Sequence, residues 1–293
     1  MTAVYRFARA RPRLLRLAYS ALGDLGEAED VVQEAWLRLE RADPESIDDL
    51  DAWLTTVVGR LALDRLRSAR ARRETYVGPW LPEPVVAVAD EDPADRVTLD
   101  ESVSYALLAL LEQLSPSERT AFVLHDIFDV PFGEVAKVVG RTPEAVRQLA
   151  SRARRHIARQ RPRFEASPQE HARAVRAFAH AVAEGDLDSL VAVLDPDVVW
   201  TADGGGRAIA SRKPIQGADR VARAWVALRR KPAIAPAATP IELNGRLGLL
   251  IAGTDGNRSV LAFLVDDGRI TRIDVVRNPE KLRRLNQRTR THP

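Results

Sequence analysis

The stretch FGEVAKVVGRTPEAVRQLASRARRHI, residues 132–157, decides how the front of this chain is read. Gly133 to Val139 has the spacing of a short helix, with Val135, Ala136 and Val139 on its inner face. Gly140 supplies the turn, Thr142 is placed to cap a second helix, and Pro143 takes that helix's first position. The small Ala136 lets the two helices cross closely, so the pattern is a helix-turn-helix. In the second helix Ala145, Val146, Leu149, Ala153 and Ile157 share one face and should pack. Arg147, Gln148, Ser151, Arg152, Arg154 and Arg155 face outward. Arginine and glutamine on an exposed helix suit base edges in a major groove, and serine and further arginines suit phosphates. An arginine-rich surface helix is the competing reading. The turn, the cap and the near absence of acids favour DNA.

Upstream lie more helices. SPSERTAFVLHDIF has Ser115 as N-cap, Pro116 at the first helical position and Glu118 closing a capping box. Before it, LDESVSYALLALLEQL is helical. In residues 1–75, LLRLAYSAL, AEDVVQEAWLRLE and LDAWLTTVVGRLALDRLRSA each carry apolar residues at helical spacing, with no proline interrupting them. On AEDVVQEAWLRLE, Asp30, Gln33 and Glu34 fall on one side and Val31, Val32, Ala35 and Leu39 mostly on the other. On the next helix Arg60, Arg67 and Arg70 form a strip, with Trp53 one to two turns before them. An arginine strip beside an aromatic suits single-stranded DNA, although Trp53 as a core residue is equally compatible with the pattern.

Charge is blocky although the net charge is only +3. Residues 24–51 carry eleven acids, and residues 141–163 carry eight arginines against Glu144. Two basic blocks between acidic ones suggest two contacts with a polyanion and a separate acidic docking face. Length, 293 residues, suits two or three domains. There is no cysteine, which excludes disulfides and thiolate metal sites. No long apolar run or signal-peptide core is present, so a cytoplasmic protein with no membrane partner is expected.

The order of acidic helix, basic strip, linker and helix-turn-helix resembles the sigma-70 family, and specifically the extracytoplasmic-function (ECF) sigma factors. LGDLGEAEDVVQEAWLRL is similar to their region 2.2. WLTTVVGRLALDRLRSARAR is similar to regions 2.3 and 2.4, and residues 114–157 to region 4. The resemblance implies that Asp30, Gln33 and Glu34 bind the clamp of core RNA polymerase, with the flap as a further contact of the chain. Region 2 would open the −10 element of promoter DNA, using Trp53, Arg60, Arg67 and Arg70 and a loop near Asp43 to Asp49. Region 4 would read the −35 element through Arg147, Gln148, Ser151, Arg152 and Arg155. Arg60 stands where many relatives have asparagine, and Glu27 where aspartate is commoner.

From residue 170 the pattern changes. A helix, a Gly-Asp break and a second helix precede strand-like runs, DVVWTAD, RLGLLIAGTD and RSVLAFLVDDGRITRIDVVRN, the last with a DDG hairpin signal. PEKLRRL begins a short helix. This part resembles the SnoaL-like group of the NTF2 fold, a cone with a pocket. Some ECF sigma factors carry such a fused domain, together with WLPEP (80–84), DGGG (203–206) and NPEKL (278–282), as here. In that group the extra domain is a built-in regulator, which implies that no separate anti-sigma factor is required. Of catalytic candidates Asp203 is best placed, following Trp200 on a strand. DGGG nevertheless reads as a flexible turn, with Asp203 capping exposed amides, and His171 and His180 read as surface or core. No catalytic residue, metal or cofactor is expected, and a small ligand in this domain stays open as an alternative.

The expected fold is therefore multi-domain: two all-α sigma domains followed by an α+β NTF2-like cone. Its segments are sigma region 2 (1–75), a Pro-rich acidic linker (76–105), sigma region 4 (106–163), a short linker (164–169), the SnoaL-like domain (170–277) and a tail (278–293). The linker stretch YVGPWLPEPVV, residues 76–86, has apolar residues that a solvated linker would not need. Trp80, Leu81 and Pro82 are expected to dock near Asp203, Gly204, Gly205 and Gly206 and near Asn278, Pro279 and Leu282. The alternative is that Trp80 covers a helix of residues 1–75.

Overall fold

The computed structural model describes residues 3–42, 47–73, 75–86, 103–160, 166–229, 234–253 and 257–288. These divide into two units. One holds residues 3–42, 47–73, 103 and 107–160; the other holds 75–86, 104–106 and everything described from 166 onward.

The first unit is helical. α1 (Ala3–Leu22), α2 (Leu25–Arg41) and α3 (Leu50–Arg73) pack on one another through Leu14, Leu17, Leu22, Leu39, Leu54 and Leu63, each almost fully buried. α1 begins well before the periodic stretch and carries Pro12 inside it. Asp24 caps α2 by accepting from the Glu27 N–H at 2.9 Å. After α4 (Tyr105–Leu111) comes α5 (Pro116–Phe122), whose capping box forms as expected: the Glu118 N–H reaches Ser115 Oγ, and the Ser115 N–H reaches Glu118 Oε2. The helix then widens into one π turn over Val123–Ile127, closed by the Phe128 N–H on the Val123 carbonyl at 3.2 Å. α6 (Phe132–Val139) and α7 (Pro143–Gln160) form the helix-turn-helix. Gly140 between them has φ +71°, a conformation glycine adopts without steric cost.

Within this unit α6 also packs on α3. The approach is close at Gly59, where a Cβ would stand 3.2 Å from Val138 Cγ1 and 3.3 Å from Leu124 Cδ1.

The second unit is α+β. α8 (Pro168–Glu184), α9 (Leu187–Val193) and α10 (Ala218–Arg229) pack with a six-stranded sheet. The strands are β1 (Leu194–Asp203), β2 (Ile215–Gln216), β3 (Ile234–Leu243), β4 (Arg246–Gly253), β5 (Arg258–Asp266) and β6 (Arg269–Val276), in the order β2-β1-β6-β5-β4-β3. β1 and β6 run parallel, and the other pairs are antiparallel. Alternation along the strands gives the sheet two apolar faces. Trp200, Ala202, Leu261, Phe263, Ile273 and Val275 meet the helices. Val260, Ala262 and Val276 turn the other way, where Leu81, Tyr105, Leu243 and Leu282 cover them.

Three elements, β2, β3 and α10, escaped the sequence reading. β3 was missed because its IAPAATPIEL carries Pro236 and Pro240, which demote a run as a strand; it is the edge strand, where proline is tolerated. α10 was missed as well. The DDG hairpin forms with Asp267 at φ +47° and Gly268 at φ +73°, and Asn244-Gly245 makes a matching turn between β3 and β4 at φ +46° and +72°. Both are the paired positive-φ turns that suit the twist of antiparallel strands.

His171 on α8 is a core histidine. It is 6 % exposed, its Nε2 lies 2.9 Å from the Leu247 carbonyl, and burial pulls its pKa below the ordinary value. A histidine that folding makes harder to protonate contributes stability that is present above the unfolded pKa of about 6.5 and is lost as pH falls through the lower folded value. The His171→Gln variant keeps an amide nitrogen near the Nε2 position without the titration. Melting temperatures from pH 8 to pH 5 should therefore fall more steeply for the wild type than for the variant.

Candidate functional site

The outward face predicted for the recognition helix is the face that α7 exposes. Arg147, Gln148, Ser151, Arg152 and Arg155 are exposed, while Val146, Leu149, Ala153 and Ile157 are buried. Thr142 caps the helix through the Ala145 N–H at 3.3 Å. Arg147 lies 3.2 Å from Glu144 and over the Phe132 ring, Arg152 is 3.4 Å from Glu118, and Arg154 is 2.5 Å from Asp126. These neighbours pre-orient long side chains while leaving the guanidinium groups on the surface.

On α2, Asp30 and Gln33 are exposed and Glu34 is half-buried beside Arg38 at 3.1 Å. Val31, Val32, Ala35 and Leu39 turn inward, as the spacing required. On α3, Trp53 is half-buried and Arg67 exposed, 3.5 Å from Asp64. Arg60 is exposed, yet its guanidinium donates to the Lys137 carbonyl of α6 at 3.0 and 3.3 Å. Arg70 belongs to α3, but its side chain lies outside the described residues, as do Asp43 to Ser46 of the loop expected to capture bases.

The most heavily built site is in the second unit, where residues 76–86 lie on the sheet face away from the helices. Its centre is Asp203, the last residue of β1, with 0 % exposure. Oδ1 accepts from Tyr76 Oη at 2.6 Å and from the Gly205 N–H at 2.9 Å. Oδ2 accepts from the Leu81 N–H at 2.9 Å and from Lys281 Nζ at 2.7 Å. Four donors match the roughly four lone-pair sites of a carboxylate. Lys281 Nζ also donates to the Leu81 carbonyl and sits 3.7 Å from the centroid of the Trp80 ring, a cation–π contact shielded from water. Asn278 donates from its backbone to the Asp203 carbonyl at 3.0 Å and from Nδ2 to Tyr76 Oη at 2.9 Å. Burial, then the hydrogen bond to Asp203, push the Tyr76 phenol well above its ordinary pKa, so it stays a neutral donor.

The clamp extends along the segment. Tyr105 Oη donates to the Pro82 carbonyl at 3.0 Å. Val85 exchanges hydrogen bonds with Asn244: its N–H reaches Asn244 Oδ1 at 3.1 Å, and its carbonyl accepts the Asn244 N–H at 2.9 Å. Val86 forms an antiparallel bridge with Leu243, so the segment adds to the β3 edge. Glycine is required beside Asp203. A Cβ on Gly204 would stand 2.2 Å from the Ala208 carbonyl oxygen, and one on Gly205, at φ +61°, 2.4 Å from Asn278 Nδ2. The DGGG stretch is thus no flexible turn over exposed amides. Asp203 does cap Gly205, but in a fully buried site.

The sigma-70 region 2 family matches residues 6–72, the sigma-70 region 4 family residues 104–157, and the SnoaL-like domain family residues 175–273. The ECF RNA polymerase sigma factor SigJ of Mycobacterium tuberculosis strain H37Rv is 44% identical over 289 residues, covering 95% of this chain and 92% of the relative. This chain belongs to the ECF sigma factors. The probable ECF sigma factor SigI of the same strain is 41% identical over 276 residues, covering 93% of this chain and 92% of SigI. The crystal structure of M. tuberculosis SigJ has a TM-score of 0.79 at 40% identity, covering 96% of this chain and 98% of that one.

As an ECF sigma factor the protein is a transcription-initiation factor, not an enzyme. In it, Trp80, Leu81, Asp203, Gly205 and Asn278 come together around one carboxylate. Pro82 contributes its carbonyl, and Leu282 packs with Leu81 in the apolar layer. Pro279 is half-buried next to Asn278. Sequence reasoning missed Tyr76, Tyr105, Asn244 and Lys281. Lys281 was legible within NPEKL, as one of only four lysines against forty arginines.

A saturated buried ion pair loses most when one side is removed. Asp203→Asn and Lys281→Met should each lower stability to urea by about 3–5 kcal/mol. The double variant should lose less than the sum, because both changes break one network.

Proposed function

We propose that residues 76–86 are a latch through which the SnoaL-like unit controls this sigma factor in cis. The observation that carries the reading is the four-donor clamp on Asp203, which fastens the segment following region 2 by its backbone at Leu81 and the side chain of Tyr76, while Trp80 lies against Lys281. Tyr105, at the start of region 4, is fastened to the same segment through Pro82. The connection between the two DNA-binding regions is therefore tied down at both ends. Clamping those ends limits how far the connection can extend when both promoter elements are engaged. A covalently joined domain needs only modest contacts for this, because its effective concentration is high, so a separate anti-sigma factor is not required.

In this reading Asp30, Gln33 and Glu34 dock on core RNA polymerase. Arg147, Gln148, Ser151, Arg152 and Arg155 engage the −35 element, and the α3 strip with Trp53, Arg60, Arg67 and Arg70 engages the −10 element. The exposure of the α2 and α7 faces supports these assignments. The hydrogen bond from Arg60 to the Lys137 carbonyl has to be exchanged for DNA. The protein works in the cytoplasm, where its polymerase is, and no described helix is long and apolar enough to cross a membrane.

Asp30→Arg places a cation on the acidic docking face and should weaken association with core polymerase by about tenfold or more, measured by co-sedimentation. Unchanged association would remove α2 as the docking face. For the latch, run-off transcription with core polymerase is the test. Trp80→Ala should change output of the full-length protein by about fivefold or more, the lower end of ordinary coupling between sites, and leave a chain ending at Ser167 unaffected. Equal responses in both chains would assign Trp80 to region 2 and discard the latch.

A further inference from the structure

In the helical unit a cavity of about 450 Å³ opens between α1, the first turns of α3 and the segment that joins the π turn to α6. That is within the size range of small-molecule sites. α1 supplies Arg6, Arg9 and Arg13, which share one face at spacings of three and four residues. The helix carries no acidic residue to offset them, and like charges four residues apart, as in Arg9 and Arg13, weaken a helix. Arg13 is fixed in place. Its Nη1 donates to the buried Thr55 Oγ1 at 2.9 Å, and that hydroxyl donates to the Asp51 carbonyl at 2.6 Å. The Arg6 and Arg9 guanidiniums have no hydrogen bond or ion pair among the described residues.

Carboxylates line the same space. Asp51 is on the first turn of α3, and Asp129 follows the π turn. Neither carboxylate has a partner among the described residues, although two unpaired guanidiniums share the cavity with them. On α7 the opposite holds: Arg147, Arg152 and Arg154 each take a carboxylate close by. Opposite charges that stand around one cavity without closing on each other leave a field across it, which a ligand with two unlike ends can satisfy. Phe128, half-buried, adds an aromatic surface to the wall. A DNA strand does not fit this lining, because Asp51, Asp129 and Glu134 would repel a run of phosphates. A small molecule with an anionic end, a flat ring and N–H donors does fit.

We propose that this cavity binds a nucleotide, with its phosphate on Arg6, Arg9 and Arg13, its base against Phe128 and the N–H groups of the base on Asp51 and Asp129. Arginine suits a phosphate because its fork of N–H donors meets two oxygens at once. α1 and α3 belong to the region 2 match, Phe128 and Asp129 to the region 4 match, so a bound nucleotide ties the two regions to each other. The site lies outside the SnoaL-like unit and does not rest on the latch reading.

The test is calorimetry on the full-length protein at low salt with three probes. These are guanosine 5′-monophosphate, ribose 5-phosphate, which lacks the base, and guanosine, which lacks the phosphate. The whole nucleotide should bind about tenfold or more tighter than either fragment. Replacing both Arg6→Gln and Arg9→Gln removes two charges that hold nothing else in the fold. This double variant should bind the nucleotide and ribose 5-phosphate about tenfold more weakly and guanosine as before. Phe128→Leu should cost the nucleotide and guanosine about tenfold, the loss of one stacked base, and leave ribose 5-phosphate unchanged, which also shows that the variant is folded. No binding of the nucleotide at millimolar concentration would overturn the proposal. So would nucleotide binding no tighter than that of ribose 5-phosphate. Binding that survives the double arginine variant would place the phosphate on the DNA-binding faces instead, and would equally discard this site.

Discussion

A carboxylate without solvent must find a donor for every lone pair or cost the fold several kcal/mol. Asp203 finds four, and no two come from the same residue: a phenol, two backbone amides and an ammonium. Three of the partners, Tyr76, Leu81 and Lys281, are distant in sequence. Satisfying one charge thus forces the chain before region 4 and the chain after the last strand onto the end of β1. Much of the second unit follows from that demand. Gly204 and Gly205 keep the turn narrow enough for Asn278 to reach in. Lys281 is neutralised by Asp203 and shielded by Trp80, and Leu81 is carried into the apolar layer of Val260, Ala262 and Val276.

The sheet lets the two faces do different work. Strand alternation sends Trp200 and Ala202 toward the helices, and Asp203 toward the linker. The backbone after β6 completes the linker side: Arg277 donates to the Asp203 carbonyl at 2.7 Å, and Asn278, the next residue, holds Tyr76. A regulatory domain of an initiation factor gains from such an arrangement. Its grip on the connector and its interior lie on opposite sides of two hydrogen-bonded strands.

The helical unit shows a different economy. The arginines that α7 exposes are held by carboxylate partners, Glu144 for Arg147, Glu118 for Arg152 and Asp126 for Arg154. The Arg147–Glu144 pair is exposed on both sides and of small energetic weight, while Glu118 and Asp126 are largely buried partners. Arg60 of α3 differs, since it engages the Lys137 backbone carbonyl of α6 rather than a carboxylate nearby.

The sequence by itself determined the helices, their caps and their faces, because capping and amphipathic spacing are local. Thr142, Ser115 and Asp24 act where the chain places them, and Val146, Leu149 and Ala153 turn inward by period alone. Motif order was enough to name the family, and WLPEP, DGGG and NPEKL pointed to a shared site. What the tertiary structure alone decided was that site's chemistry. Tyr76, Tyr105 and Asn244 carry no periodic or motif signal that marks them as partners of one site, and NPEKL does not say that Lys281 meets Asp203; these contacts arise only when segments about two hundred residues apart are brought together. Pro236 and Pro240 hid an edge strand for the complementary reason: local propensity reads a proline as a break, and only the sheet shows that the strand has an open side.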